Sequence, residues 1–212
     1  MSRTPGRRQR GFTLIEVMVT VLLLAIGLLG MLGMQTRASA VEFESYQRGQ
    51  AVALARDMQA RLLSSRGIVP GYLNPAISSV DGSVWVGNGS GATNFADANG
   101  NCPQPAPGDL ASFAAAQACA WGRDLQGAAM RDSAGSIGAM VGARGCLIRI
   151  EPPQQNALAD LYVVIVWQGI ETRTDPAADS PAGRCASDVD FGPGQRRGIS
   201  MRVLVPDLRK AA

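Results

Sequence analysis

Residues 7–34 read RRQRGFTLIEVMVTVLLLAIGLLGMLGM. Arg3, Arg7, Arg8 and Arg10 precede Gly11, with no acidic residue before Glu16. From Phe12 to Met34 that acid is the only charge. A helix rising about 1.5 Å per residue over this stretch reaches roughly 34 Å, enough for a bilayer core of about 30 Å. The run exceeds the roughly 7–15 apolar residues of a secretory signal and lacks a small-residue cleavage site. Arginines before the span hold that end cytoplasmic, so the chain beyond Met34 is expected on the far side of the membrane.

Glu16 is the misfit. A carboxylate near the centre of an apolar span costs about 2.5–3.5 kcal/mol, and less near an end, where a side chain can snorkel. Its neighbours suggest more. The basic leader, Gly11, Phe12 and an acid at the fifth position counted from Phe12 resemble the prepilin signal of type IV pilins and type II secretion pseudopilins. The resemblance implies that a prepilin peptidase cuts between Gly11 and Phe12 and that Phe12 becomes the N-methylated terminus. It also makes Glu16 the assembly acid. An unpaired carboxylate is costly in the low-dielectric core of a filament. The terminal ammonium of a neighbour's Phe12 would neutralise Glu16 and set the register between subunits.

The apolar run continues without proline to Ser65. Ala51, Leu54, Ala55, Met58 and Leu62 recur at helical spacing, opposite Arg48, Gln50, Arg56, Asp57 and Arg61. Gly67 and Pro70 read as the stop. One helix over about 12–66 is therefore expected, near 80 Å long. Gly27, Gly30 and Gly33 within it serve either close helix packing or local melting, and the sequence leaves both open.

Beyond the helix the composition shifts to Gly, Asn, Ser, Ala and Pro, and residues 68–108 read as loop with a short strand at 83–86. The string GNGSGA at 87–92 has a GxGxxA spacing, but no strong strand precedes it and no helix follows, so no dinucleotide site is expected. Asp109 is placed to cap a helix ending near Gly122, and AAMRDSAGSIGAM reads as a turn-rich connection. CLIRIE at 146–151, LYVVIVWQ at 161–168 and ISMRVLV at 199–205 read as strands of an antiparallel meander covering the amphipathic half of the helix. An irregular insert, Glu171–Arg197, separates the last two.

Cys102, Cys119, Cys146 and Cys185 all fall on the exported side, where disulfides persist. Four cysteines allow three pairings. The nearest-neighbour set, Cys102–Cys119 and Cys146–Cys185, is the expected one, with the others still open. No close metal-ligand spacing appears and the chain has no His, which removes Ser-His-Asp, Cys-His and HExxH chemistry. Neither a catalytic site, a cofactor nor a metal is expected. A calcium loop among Asp175, Asp179, Asp188 and Asp190 is the distant alternative, along with a membrane-anchored enzymatic domain.

Within pilins the resemblance narrows to PilV-type minor pilins, carried by GFTLIEVMV at 11–19, LAIGLLGMLGMQ at 24–35, SYQRGQAVALARDMQARL at 45–62 and VIVWQG at 164–169. It implies an α+β type IV pilin fold: leader 1–11, membrane and filament-core half 12–34, amphipathic half 35–66 and periplasmic globular domain 67–212. It also implies a low-copy subunit that primes pilus assembly near the tip and supports adhesion and twitching motility. Its partners would be the prepilin peptidase, other minor and major pilins, and the inner-membrane assembly platform. A minor pseudopilin of type II secretion is the alternative. The formal charge of +3 does not favour nucleic acid. Removing four leader arginines from 20 basic residues leaves 16 against 17 acidic ones, a mature charge of −1.

Overall fold

The computed structural model describes residues 11–72, 83–87, 93, 95–96, 100–127, 131–132, 135–136, 140–151, 153 and 156–208. The leader arginines, residues 88–92 of the GNGSGA string and part of the 128–140 connection lie outside them. The fold divides after Phe43 into two units. Helix α1, Leu14–Ser64, contributes to both.

In the first unit every residue from Gly11 to Ser39 is exposed. The helix runs unbroken through Gly27, Gly30 and Gly33, and a Cβ added at any of the three would meet nothing within 4 Å. A helix apolar on all sides has no soluble face, so lipid or other protein must cover it.

In the second unit α1 buries Gln47, Ala51, Ala55, Met58 and Leu62 along one face, with Leu54 packed at its edge. The helix ends at Ser64, before Gly67. A 3-10 turn at Arg66–Ile68 and a short helix α2, Val69–Tyr72, follow where the sequence reads as a stop and loop. The next elements in chain order are β1 (Val84–Gly87), α3 (Leu110–Leu125), β2 (Arg131–Asp132) and β3 (Gly135–Ser136). They are followed by β4 (Arg144–Arg149), β5 (Ala157–Gln168), α4 (Pro181–Arg184) and β6 (Arg196–Pro206). The turn-rich connection thus contains a two-stranded ribbon, β2–β3. The main sheet is antiparallel with order β1-β4-β5-β6, a meander of its last three strands.

Asp109 caps α3 by accepting from the Ala111 N–H at 3.0 Å. The helix passes through Gly122, where a side chain would press on Val86, 3.2 Å from a Cβ. It stops instead at Gly127, whose φ of 76° is the left-handed geometry of a helix end. Trp121 of α3 is fully buried and donates its Nε1–H to the Leu54 carbonyl of α1 at 3.1 Å. Gly145 of β4 leaves the room its ring needs, since a Cβ there would lie 2.6 Å from Trp121 and Leu125.

The sheet is covered on both sides. Leu147, Leu161, Val163, Ile165, Trp167 and Val203 join α1 and α3 in one core. Trp85, Cys146, Ile148, Val164 and Val166 point the other way and pack with Ala182, Cys185, Ala186 and Phe191 of the insert. The insert is therefore a second cover with its own core. Two-sided burial explains why LYVVIVWQ reads as a nearly continuous apolar run. The long N-terminal helix and the small four-stranded antiparallel sheet make an α+β, pilin-like architecture.

Candidate functional site

The segment around Phe12 begins the first unit. Phe12 is 83% exposed and Gly11 has open space where a Cβ would sit. The Thr13 carbonyl accepts from the Glu16 and Val17 amides at 3.1 and 3.4 Å, which starts α1. Glu16 falls in the first helical turn, where the positive end of the helix dipole favours an acid, and it is exposed. Gly11 and Phe12 thus lie just before α1, and Glu16 lies in its first turn. Among the described residues α1 is the one helix long and apolar enough to cross a membrane.

Residues 6–32 match a family model described as the prokaryotic N-terminal methylation motif. The chain carries a prepilin-type methylation motif. The motif supports a type IV pilin-like protein, either pilin or pseudopilin, and its class is structural rather than enzymatic. It implies processing by a prepilin peptidase and assembly with other pilins, and with the apolar helix it fits inner-membrane anchoring. No curated protein and no solved structure matched the chain.

The second unit brings together residues that the sequence reading kept apart. The Glu44 carboxylate of α1 accepts from the Glu171 backbone N–H at 3.1 Å and from Arg197 at 3.1 Å, and it forms an ion pair with Arg173 at 3.3 Å. Burial pushes the Glu44 carboxyl up, but these donors outweigh it and hold the group below its ordinary value. Arg197 is braced by the carbonyls of Gly194, Arg196 and Glu171. Glu44 shares a face with Gln47 and Ala51, one and two turns on, and an acid on that face was the signal available in the sequence.

Arg144, fully buried at the start of β4, pairs with Asp188 of the insert at 3.2 Å and lies near the Trp85 ring. Cys146 is bonded to Cys185, and Cys102 to Cys119. The first bond lies inside the insert-side core, and the second fastens the segment before α3 to that helix.

The acids of the insert are engaged separately. Asp175 accepts from the Gly194 and Arg196 amides, Asp188 pairs with Arg144, and Asp190 accepts from the Gly192 amide. Among the described residues no three of His, Cys, Asp and Glu gather as a metal site, so the calcium reading of the insert finds no ligand set there.

Proposed function

We propose that this chain is a minor pilin of a type IV pilus, of the PilV type, inserted in the inner membrane as a prepilin. The observation that carries the reading is the methylation motif at residues 6–32, continuous with a helix segment whose apolar residues from Leu14 to Met34 are all exposed. The peptidase cuts after Gly11, Phe12 becomes the methylated terminus, and the domain beyond the membrane faces the periplasm. On extraction into a filament, the apolar half exchanges lipid for neighbouring pilins. Glu16 pairs with a neighbour's terminal ammonium, where leaving it unpaired would be costly. The domain supplies side contacts near the tip, and assembly, adhesion and twitching motility follow.

Deletion of the gene from its bacterium, with complementation, tests the assignment. Loss of surface pili with type II secretion intact supports it. Loss of secretion with pili intact makes the chain a minor pseudopilin and overturns the pilus reading. Glu16→Ala in the complementing copy should leave insertion and processing intact while the amount in sheared filaments drops about tenfold or more, one lost charge pair in a low-dielectric core. Undiminished incorporation would contradict charge pairing.

A further inference from the structure

Arg196, the first residue of β6, gathers the insert around its guanidinium. It donates to the Cys185 carbonyl at 2.8 Å and to the carbonyls of Ala186 and Val189 at 3.0 Å each. Its guanidinium also lies over the Phe191 ring, 4.8 Å from the centroid. The Arg196 and Gly194 amides both donate to Asp175 at 2.9 Å, closing the insert at its base. Cys185 is thereby held from two sides, because its own N–H donates to Pro181 of α4 while its carbonyl is taken by Arg196. Ala186 follows at φ 56°, a left-handed conformation that a residue with a side chain keeps only when its surroundings impose it. Arg196 bonds the carbonyls on both sides of that strained position.

Chain statistics favour the observed set through its short Cys102–Cys119 loop of 17 residues, but they do not favour the Cys146–Cys185 loop taken by itself. Cys146 and Cys185 are 39 residues apart, whereas Cys119 and Cys146 are 27 apart. Closure by proximity alone favours the shorter loop by about 1.7-fold. We infer that Arg196 is the positioning residue for the Cys146–Cys185 bond: it shapes residues 185–189 so that the Cys185 thiol meets Cys146 on β4 before the two are joined. With glutathione disulfide as oxidant, one cysteine thiolate displaces a glutathione thiolate to form a mixed disulfide. The other cysteine thiolate then attacks the protein sulfur of that mixed disulfide and releases the second glutathione thiolate. Two protein thiols are oxidised and one glutathione disulfide is reduced to two thiols. The inference does not depend on the pilin reading.

The test is refolding of the reduced full-length chain in detergent micelles with a glutathione redox buffer, followed by acid quenching and peptide mapping of all disulfides. The Cys102–Cys119 bond, outside the insert, is the internal reference. Arg196→Met should lower the equilibrium constant of the Cys146–Cys185 couple against glutathione about tenfold or more, as expected for losing several charge-assisted hydrogen bonds that order the loop. Cys102–Cys119 should stay within about twofold, and the share of chains with Cys146 and Cys185 reduced or joined to glutathione should rise. Arg196→Lys, which keeps the charge but not the fork, should recover part of the native pairing. Unchanged couples in Arg196→Met, or an equal fall in both couples, would overturn the inference, the latter because it reports general destabilisation.

Discussion

From Leu14 to Met34, α1 exposes its large apolar residues on every side; from Gln47 to Leu62 the same helix buries one narrow face and turns Arg48 and Arg56 to solvent. Backbone geometry is the same in both halves, so composition alone sets what each can do. The first half has no polar side to offer water and must always be covered. The second half needs only the sheet and α3, and its cover is built into the chain. One half is thus suited to changing surroundings and the other to a fixed fold.

Truncating Trp121 to Ala should have the largest effect on the fixed half. The ring is fully buried between α1 and β4 and donates to the Leu54 carbonyl, so the loss should be about 3–5 kcal/mol, read as a lower denaturant midpoint of the domain. Membrane insertion should be unchanged, and failure to insert would break the contrast between the halves.

Glu44→Gln should have a smaller, pH-dependent effect. The folded carboxyl is held below its ordinary value of 4.5, so its contribution is present above that value and drains away as pH falls through the lower, folded one. Wild-type denaturant midpoints should therefore fall as pH drops below the ordinary value of 4.5, whereas the variant should start lower at pH 7 and fall less steeply. Parallel curves would show that the clasp adds nothing.

Gly30→Ala is expected to do least. It touches nothing within 4 Å, and replacing glycine within a helix gains about 1 kcal/mol of helix propensity. Circular dichroism in micelles should show a slight gain in helicity and an unmoved domain midpoint. A shifted midpoint would mean that the exposed half takes part in the domain's stability.

The helix was legible because an apolar run passing into a 3.6-residue period, with no proline, has few other solutions. The meander was legible for the same kind of reason, yet its strands begin earlier than their apolar runs. β5 starts at Ala157 rather than Leu161, and β6 at Arg196 rather than Ile199. The polar start of β6 is held by partners distant in sequence, Glu44 for Arg197 and Asp175 for Arg196. The insert was hidden more thoroughly. Ala182, Cys185, Ala186 and Phe191 follow no period; they pack against the sheet from a segment whose carbonyls at Cys185 and Ala186 are held by Arg196. Arg144 was equally opaque, since a buried arginine is defined by a carboxylate 44 residues away. At the N-terminus Gly11, Phe12 and Glu16 lie within six residues and inside the matched motif, so a short stretch was enough to carry the resemblance.

Intact-mass and N-terminal peptide mass spectrometry of the protein extracted from its native membrane tests the pilin reading most directly. The account predicts a chain beginning at Phe12, carrying one methyl group on its terminal nitrogen and lacking residues 1–11. A chain that keeps its leader, or begins at any other residue, would contradict it.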